Sequence, residues 1–233
     1  MTTSNLEMLA YEETKLGMIC LRRRRLLSVP GRTIVTEITL EHDLLMSSYH
    51  TVSEAALSSR ALERHQGDGL SVLIGGLGLG YTAHEVLRSP RVASVDVVEF
   101  LPQVIDWMRD GLVPLSDQLN GDARFRVVEA DVYATLAAAP DRYFDLILID
   151  VDHSPDERLG ERNADFYTEA GLRRARRHLA PGGVLGVWSY AESSPFVAAL
   201  RAVFDRVDVE LVTFYNRLIE ETETNWLFLA LDV

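Results

Sequence analysis

The chain has 233 residues, a formal net charge of −12 and one cysteine, Cys20, so it has room for one α/β domain of ordinary size with a small appendage. The negative charge argues against nucleic acid as a partner, and one cysteine excludes an internal disulfide and a multi-cysteine zinc site. Because there is no long uncharged apolar stretch, we predict no signal peptide and no membrane span, and we expect a cytoplasmic protein.

The beginning of the chain is typical of a small antiparallel β-region over residues 1–50, ahead of a catalytic domain over residues 51–233. Short apolar runs at 18–21, 26–29 and 33–38 predict strands, separated by Arg-rich or Pro30-Gly31 turns. A helix is then predicted from Thr51 or Ser53 to about His65.

A run of glycines follows the first buried strand, which is predicted at residues 72–74. Gly76, Gly78 and Gly80 leave no side chain between backbone and ligand, so backbone N–H groups can approach a ribose, an amino acid or a phosphate closely. The pattern therefore indicates a nucleotide-binding turn, and a tight strand-to-helix turn without a ligand is the alternative.

The next strand, predicted at residues 92–98, ends in Glu99, where an acid can accept both hydroxyls of a ribose. This spacing fits a dinucleotide or S-adenosylmethionine. The dinucleotide fingerprint places its third glycine three residues after the second, whereas Gly80 comes only two after Gly78. The glycine spacing therefore favours the sulfonium cofactor.

Two further acids follow predicted strands. Asp131 comes after residues 124–129, where it can accept from an adenine amino group or cap a helix, and Asp150 comes after residues 143–149. Ligands of an open parallel sheet lie outside the carboxyl ends of its strands, so these acids, Glu99 and the glycines are expected in one crevice.

Residues 150–153 also suggest a divalent metal. Such a site needs another acid or amide at the end of the next strand, where this chain has Trp188, Ser189 and Tyr190, so no metal is predicted.

The last third of the chain again alternates between helix and strand, with a helix predicted at 195–204 and strands at 207–214 and 225–231. Glu220 falls in the predicted loop 215–224, where its carboxylate binds a cation or faces water.

From Ser48 to about Trp188 the chain resembles the spermidine synthase family of polyamine aminopropyltransferases, and also the smaller bacterial spermidine synthase-like proteins. The matching segments are residues 48–50, 72–80, 97–105, 129–131, 144–150 and 179–185. The resemblance implies a class I S-adenosylmethionine-dependent methyltransferase-like Rossmann fold with a small N-terminal β-region, and a homodimer. It also implies transfer of an aminopropyl or related alkyl group from S-adenosylmethionine or its decarboxylated form to an amine or polyamine.

Site roles carry over position by position. The resemblance implies that Glu99 binds the ribose and Asp131 the adenine, and that Asp150 is the catalytic acid that orients the attacking amine and helps remove its proton. Tyr49 and His50 match the catalytic pair that closes over the reacting groups.

Substrate contacts are further predicted at Asp152, His153 and Glu220. His153 stands where the family has a second aspartate, and residues 213–217 replace the family's Pro- and Tyr-rich substrate segment.

Position 78 departs most from the family. Gly78 stands where the synthases have an aspartate that holds the aminopropyl ammonium group. Without this aspartate, the site lacks a contact for the ammonium group and also lacks the repulsion that would exclude a methionine carboxylate. A small-molecule methyltransferase that uses S-adenosylmethionine is therefore the alternative function, and a catalytically inactive nucleoside-binding protein is a further one.

Overall fold

The computed structural model describes residues 5–29, 33–151, 153–157 and 161–232. These residues form a four-stranded antiparallel sheet and a seven-stranded, mostly parallel sheet with helices on both faces. The predicted α/β class, with a Rossmann-like sheet and a small N-terminal β-region, is confirmed.

The small sheet has four strands in chain order, β1 (Leu6–Thr14), β2 (Gly17–Arg25), β3 (Ile34–Leu40) and β4 (Asp43–Ser47). The prediction missed β1 and β4, and it wrongly placed the arginines 22–25 in a turn and a strand at 26–29. The arginines stay in an inner strand because buried Glu37 of β3 bonds Arg22 at 2.9 Å and Arg24 at 2.7 Å. The predicted Pro30-Gly31 turn lies outside the described residues.

The large sheet contains β5 (Leu70–Gly75), β6 (Val92–Glu99), β7 (Phe125–Glu129), β8 (Phe144–Ile149), β9 (Leu179–Ser189), β10 (Arg206–Asn216) and β11 (Glu221–Leu231). Their order across the sheet is β10-β11-β9-β8-β5-β6-β7, and β11 runs antiparallel to both neighbours. Parallel pairing of β5 with β6 and β8 aligns their carboxyl ends at one edge.

The helices are α1 (Val52–Arg64), α2 (Tyr81–Leu87), α3 (Pro102–Arg109), α4 (Ser116–Asn120), α5 (Val132–Ala137), α6 (Glu169–Arg176) and α7 (Ser194–Arg201), with a 3-10 helix at Glu161–Asp165. No described helix has the length and apolar character needed to cross a membrane.

The core has two halves, one on each face of the large sheet. Side chains alternate along β5, so Val72 and Ile74 pack with α1 to α4, whereas Leu73 packs with α5 to α7. The first half continues into Ile19 and Ile38 of the small sheet. The division into domains at residues 1–50 and 51–233 therefore stays a prediction, because one apolar cluster runs through both parts.

The last two strands are longer than predicted. Residues 215–224, predicted as a loop, are paired up to Asn216 and Glu221, so only residues 217–220 form the turn.

Candidate active site

A cavity of about 710 Å³ lies at the carboxyl ends of β5 to β8, a size typical of small-molecule sites. The small sheet covers it, and Leu16, Ile38 and Met46 line that side. The opposite side carries the glycine turn and several of the predicted acids. The cavity therefore lies where the sequence placed the crevice, with a roof that the sequence did not predict.

The glycine turn enters the cavity at Gly76 and Gly78. Gly76 has φ +91°, and a Cβ built there would lie 2.4 Å from the backbone oxygen of Asp150, so only glycine fits. Gly80, also predicted to bind the cofactor, does not line the cavity. It precedes α2 and faces Leu119 and Met108, so its lack of a side chain serves helix packing.

Glu99 is buried at the end of β6 and lines the cavity. Its two carboxylate oxygens accept the backbone N–H groups of Leu77 and Leu101, each at 2.8 Å. Burial raises the pKa of Glu99, and these backbone hydrogen bonds oppose the rise. Each carboxylate oxygen has a second lone pair, so the same side chain can fix the glycine turn and accept from a ligand.

Asp131 also lines the cavity, and the structure confirms the helix-cap interpretation of it. Its Oδ1 caps α5 by accepting from the backbone N–H groups of Tyr133 at 2.9 Å and Ala134 at 3.2 Å. The cap accounts for Oδ1, and a ligand role for the other oxygen stays a prediction.

Asp150 follows β8 and faces the cavity beside the glycine turn. Its Oδ2 accepts a hydrogen bond of 2.8 Å from Oγ1 of Thr82, on α2. Burial raises the pKa of Asp150, and the Thr82 hydrogen bond opposes the rise. A carboxyl group whose pKa is raised in a cleft is a candidate for proton transfer.

Glu54 of α1 is a second acid at this end of the cavity, and the sequence analysis missed it. Burial and the nearby charge of Asp150 raise the pKa of Glu54 to about 7, against hydrogen bonds from its own backbone N–H and from Ser53. Its position three residues after Thr51 is typical of a capping box. However, the Thr51 side chain makes no cap, and the Glu54 carboxylate accepts from Ser53 Oγ at 2.9 Å.

Tyr49 and His50, predicted to be catalytic, do not line the cavity. Their ring centroids are 4.2 Å apart, and the His50 ring lies 5.0 Å from that of Phe214 on β10. Tyr49 packs against an apolar cluster formed by Leu26, Val29 and Val35. The structure therefore places the pair in the junction between the small sheet and β10, because apolar packing holds both rings there.

The predictions for the three residues expected to contact the substrate have different outcomes. His153 lines the cavity, with its ring centroid 6.4 Å from that of Tyr190. Asp152 lies outside the described residues. Glu220 is exposed in the β10–β11 turn and does not line the cavity, because the long strands carry that turn away from it.

Tyr81, Trp188 and Lys15 also line the cavity and were not predicted as site residues. Tyr81, at the start of α2, is hydrogen-bonded with Ser48. Trp188 of β9 has a buried Nε1 without a hydrogen-bond partner in the described part of the chain. Lys15, the one lysine of the sequence, lies with Nζ 5.4 Å from the ring centroid of Phe100. Aromatic periodicity in a strand or helix does not reveal which ring reaches a cavity.

Over residues 5–29, 33–151, 153–157 and 161–232, no three His, Cys, Asp or Glu side chains are grouped as metal ligands.

Comparison with known proteins identifies a family model, the spermine/spermidine synthase domain, that matches residues 53–203. The chain is 38% identical over 118 residues to polyamine aminopropyltransferase 2 of Streptomyces coelicolor, covering 50% of this chain and 21% of that protein. It is 34% identical over 122 residues to putrescine N-methyltransferase 4 of Nicotiana tabacum, covering 52% and 30%. The matched part of the chain thus covers between about a fifth and a third of the length of these relatives.

Two solved structures have the same fold. A spermidine synthase in complex with the transition-state analogue AdoDATO superposes with a TM-score of 0.76 and 20% identity, covering 97% of this chain and 74% of that one. The spermidine synthase of Thermotoga maritima gives a TM-score of 0.73 and 19% identity, with 97% and 72% covered.

Proposed function

Because the chain belongs to the spermine/spermidine synthase domain family, we propose that it transfers an aminopropyl or related alkyl group from decarboxylated S-adenosylmethionine, or a related sulfonium donor, to an amine or polyamine. The observation that carries the proposal is one cavity lined by Glu99 and Asp131 at adjacent strand ends and by Asp150 beyond the glycine turn. The spermidine synthase with AdoDATO and the aminopropyltransferase relative support the same chemistry.

The residues take separate roles in this proposal. Glu99 binds the ribose hydroxyls and Asp131 the adenine amino group, while the backbone at Gly76 and Gly78 borders the nucleoside. Asp150 orients the attacking amine at the other end, with His153 beside it. Tyr49 and His50 do not line the cavity, so the proposal gives them no direct contact with the reacting groups.

The reaction needs a neutral amine in line with the departing sulfur. The nitrogen lone pair forms the new N–C bond as the C–S bond breaks, and the bonding electrons leave with sulfur as a neutral thioether. The acceptor nitrogen, which carries a positive charge after the attack, then loses a proton. An alkylamine has a pKa near 10 and an ordinary aspartate one near 4, so a carboxyl group with a raised pKa is the better base here.

Methyl transfer from S-adenosylmethionine is the second candidate. It is favoured by Gly78, which presents no carboxylate to repel that of the methionine group, and by the similarity to putrescine N-methyltransferases. The same attack then occurs at the methyl carbon, and the thioether product retains the amino acid.

Calorimetric titration with S-adenosylmethionine, its decarboxylated form and methylthioadenosine tests the nucleoside site. Release of the thioether in a screen of amines, diamines and polyamines tests transfer. We expect methylthioadenosine to bind and at least one amine to be alkylated. Binding without turnover in the whole screen would instead indicate the inactive nucleoside-binding protein, and no binding of any of the three nucleosides would overturn the proposal. A cytoplasmic homodimer without nucleic-acid or membrane partners remains a prediction, which cell fractionation and light scattering test.

A further inference from the structure

Two carboxyl groups from different elements face the same end of the cavity. Glu54 lies in the first turn of α1, and Asp150 follows β8. Each carboxylate accepts a hydrogen bond from one side-chain hydroxyl. Ser53 donates to Glu54 at 2.9 Å, and Thr82 donates to Asp150 at 2.8 Å. Ser58 of α1 donates to the backbone oxygen of Thr82 at 2.9 Å, which ties the two elements together.

Neither carboxylate forms an ion pair with a cationic side chain of the described residues, unlike the buried carboxylates of Glu37 and Asp96. Glu37 bonds Arg22 and Arg24, and buried Asp96 forms salt bridges with two arginines, 126 and 142. Among the described cavity residues Lys15 is the only lysine or arginine, and it lies over Phe100, next to Glu99. Two neighbouring carboxylates without a cation form a site that a positively charged ligand would complete.

We propose that Glu54 and Asp150 together bind the protonated amino group of the amine substrate, and that Glu54 accepts its proton before attack. This inference rests on the proposed function, because the amine is the acceptor of that reaction. In the proton transfer an N–H bond of the ammonium group breaks and an O–H bond forms on Glu54. The lone pair left on nitrogen is the nucleophile.

The ionisation of Glu54 suits this role. Burial and Asp150 raise its pKa to about 7, so it takes a proton at neutral pH more readily than an ordinary carboxylate. Tyr81, on α2, also faces Glu54. Burial and the charge of Glu54 raise the pKa of Tyr81, and its hydrogen bond with Ser48 opposes the rise. His153 and Lys15 are the other basic groups of the cavity wall. Amine binding is therefore expected to strengthen as the pH rises through about 7.

Glu54→Gln tests the inference, with Glu63→Gln as the control on the same helix, where the exposed Glu63 pairs with Arg60. Dissociation constants for putrescine and for methylthioadenosine are measured by calorimetry from pH 6 to pH 8, together with melting temperatures. In Glu54→Gln we expect putrescine to bind about ten- to a hundredfold more weakly, as for a lost charge-assisted hydrogen bond. The increase of amine affinity through pH 7 disappears, the KM for amine rises, and Glu54→Asp restores part of the affinity.

Melting temperatures and methylthioadenosine affinity distinguish the proposed binding role of Glu54 from a purely structural one. Removing a carboxylate that is costly to bury should leave the melting temperature unchanged or higher, and methylthioadenosine affinity within about twofold. A lower melting temperature with equal losses for both ligands would overturn the inference. Unchanged putrescine affinity in Glu54→Gln, with an active wild-type protein, would overturn it and leave the proposed function intact. A wild-type protein that binds neither ligand would overturn both.

Discussion

Thr82 and Asp150 are 68 positions apart in the chain, yet Oγ1 of Thr82 donates a hydrogen bond of 2.8 Å to Oδ2 of Asp150. The contact joins the first turn of α2 to the end of β8 directly beside the glycine turn. It stabilises the ionised form of Asp150 and so opposes the rise in the pKa of Asp150 that burial causes.

Thr82→Val keeps the size of this buried side chain and removes the hydrogen bond. The pKa of Asp150 should rise further, which moves the rising limb of the pH–rate profile to higher pH. We expect turnover at neutral pH to fall about three- to tenfold, the effect of one ordinary hydrogen bond. Thr82→Ser keeps the hydroxyl and should retain the wild-type profile, whereas identical profiles for all three proteins would contradict the role of this contact.

Asp150→Asn keeps the shape of the side chain and removes the charge and the base. If Asp150 acts in the transition state, turnover should fall by about 10²–10⁴ while methylthioadenosine affinity changes little. The exposed Asp141, before β8, provides the control Asp141→Asn. Full activity in a folded Asp150→Asn protein would end the aminopropyltransferase-like mechanism and favour methyl transfer, which often needs no strong base.

Glu99→Ala should weaken methylthioadenosine binding roughly ten- to a hundredfold, because it removes the proposed charge-assisted contact to the ribose. It also removes the acceptor for Leu77 and Leu101, so circular dichroism and a melting temperature accompany the calorimetry. Glu129→Ala is a matched control. Glu129 is the exposed residue of β7 that lies opposite Glu99 in the pairing of β6 with β7. Equal affinities in both variants would show that the ribose assignment is wrong.

Gly78→Asp should shift donor preference towards decarboxylated S-adenosylmethionine by about 1–3 kcal/mol, because the new carboxylate attracts its ammonium and repels a methionine carboxylate. The added Cβ would lie 2.7 Å from Sδ of Met46, a flexible side chain that can move, and aspartate tolerates the φ of +50°. Competition calorimetry with both donors measures the shift, with Gly78→Asn as the uncharged control. A wild-type protein that already rejects S-adenosylmethionine would contradict the premise.

The buried Glu37 predicts how stability depends on pH. Burial opposes its ionisation, but hydrogen bonds and charges of Arg24 and Arg22 outweigh this and lower the pKa of Glu37. An acid with a lowered folded-state pKa stabilises the fold above its ordinary value of 4.5, and this contribution is lost as the pH falls through the folded-state value. Glu37→Gln should cost about 1–3 kcal/mol in the free energy of unfolding at pH 7.

Urea unfolding at several pH values checks this prediction. The difference between wild type and Glu37→Gln should shrink below about pH 4.5, where unfolded-state glutamate takes up a proton. A difference that stays constant from pH 7 to pH 3 would exclude ionisation of Glu37 as its cause.

The sequence by itself determined the α/β class and which strands end in acids. A run such as residues 72–74 is apolar at every position because both faces of the strand are covered, and that pattern needs no knowledge of the partners. In a parallel sheet the carboxyl ends of neighbouring strands meet at one edge, so Glu99, Asp131 and Asp150 could be assigned to one cavity because each stands at the end of a predicted strand.

Only the tertiary structure decided which side chains from the helices, the small sheet and the hairpin reach that cavity. Glu54 fits a capping pattern, but the packing of α1 beside α2 brings its carboxyl towards Asp150. His50 instead packs against Phe214, and the strand pairing of β10 with β11 carries Glu220 out into solvent. These placements depend on contacts between residues far apart in sequence, and local periodicity contains no information about the rotation and docking that produce them.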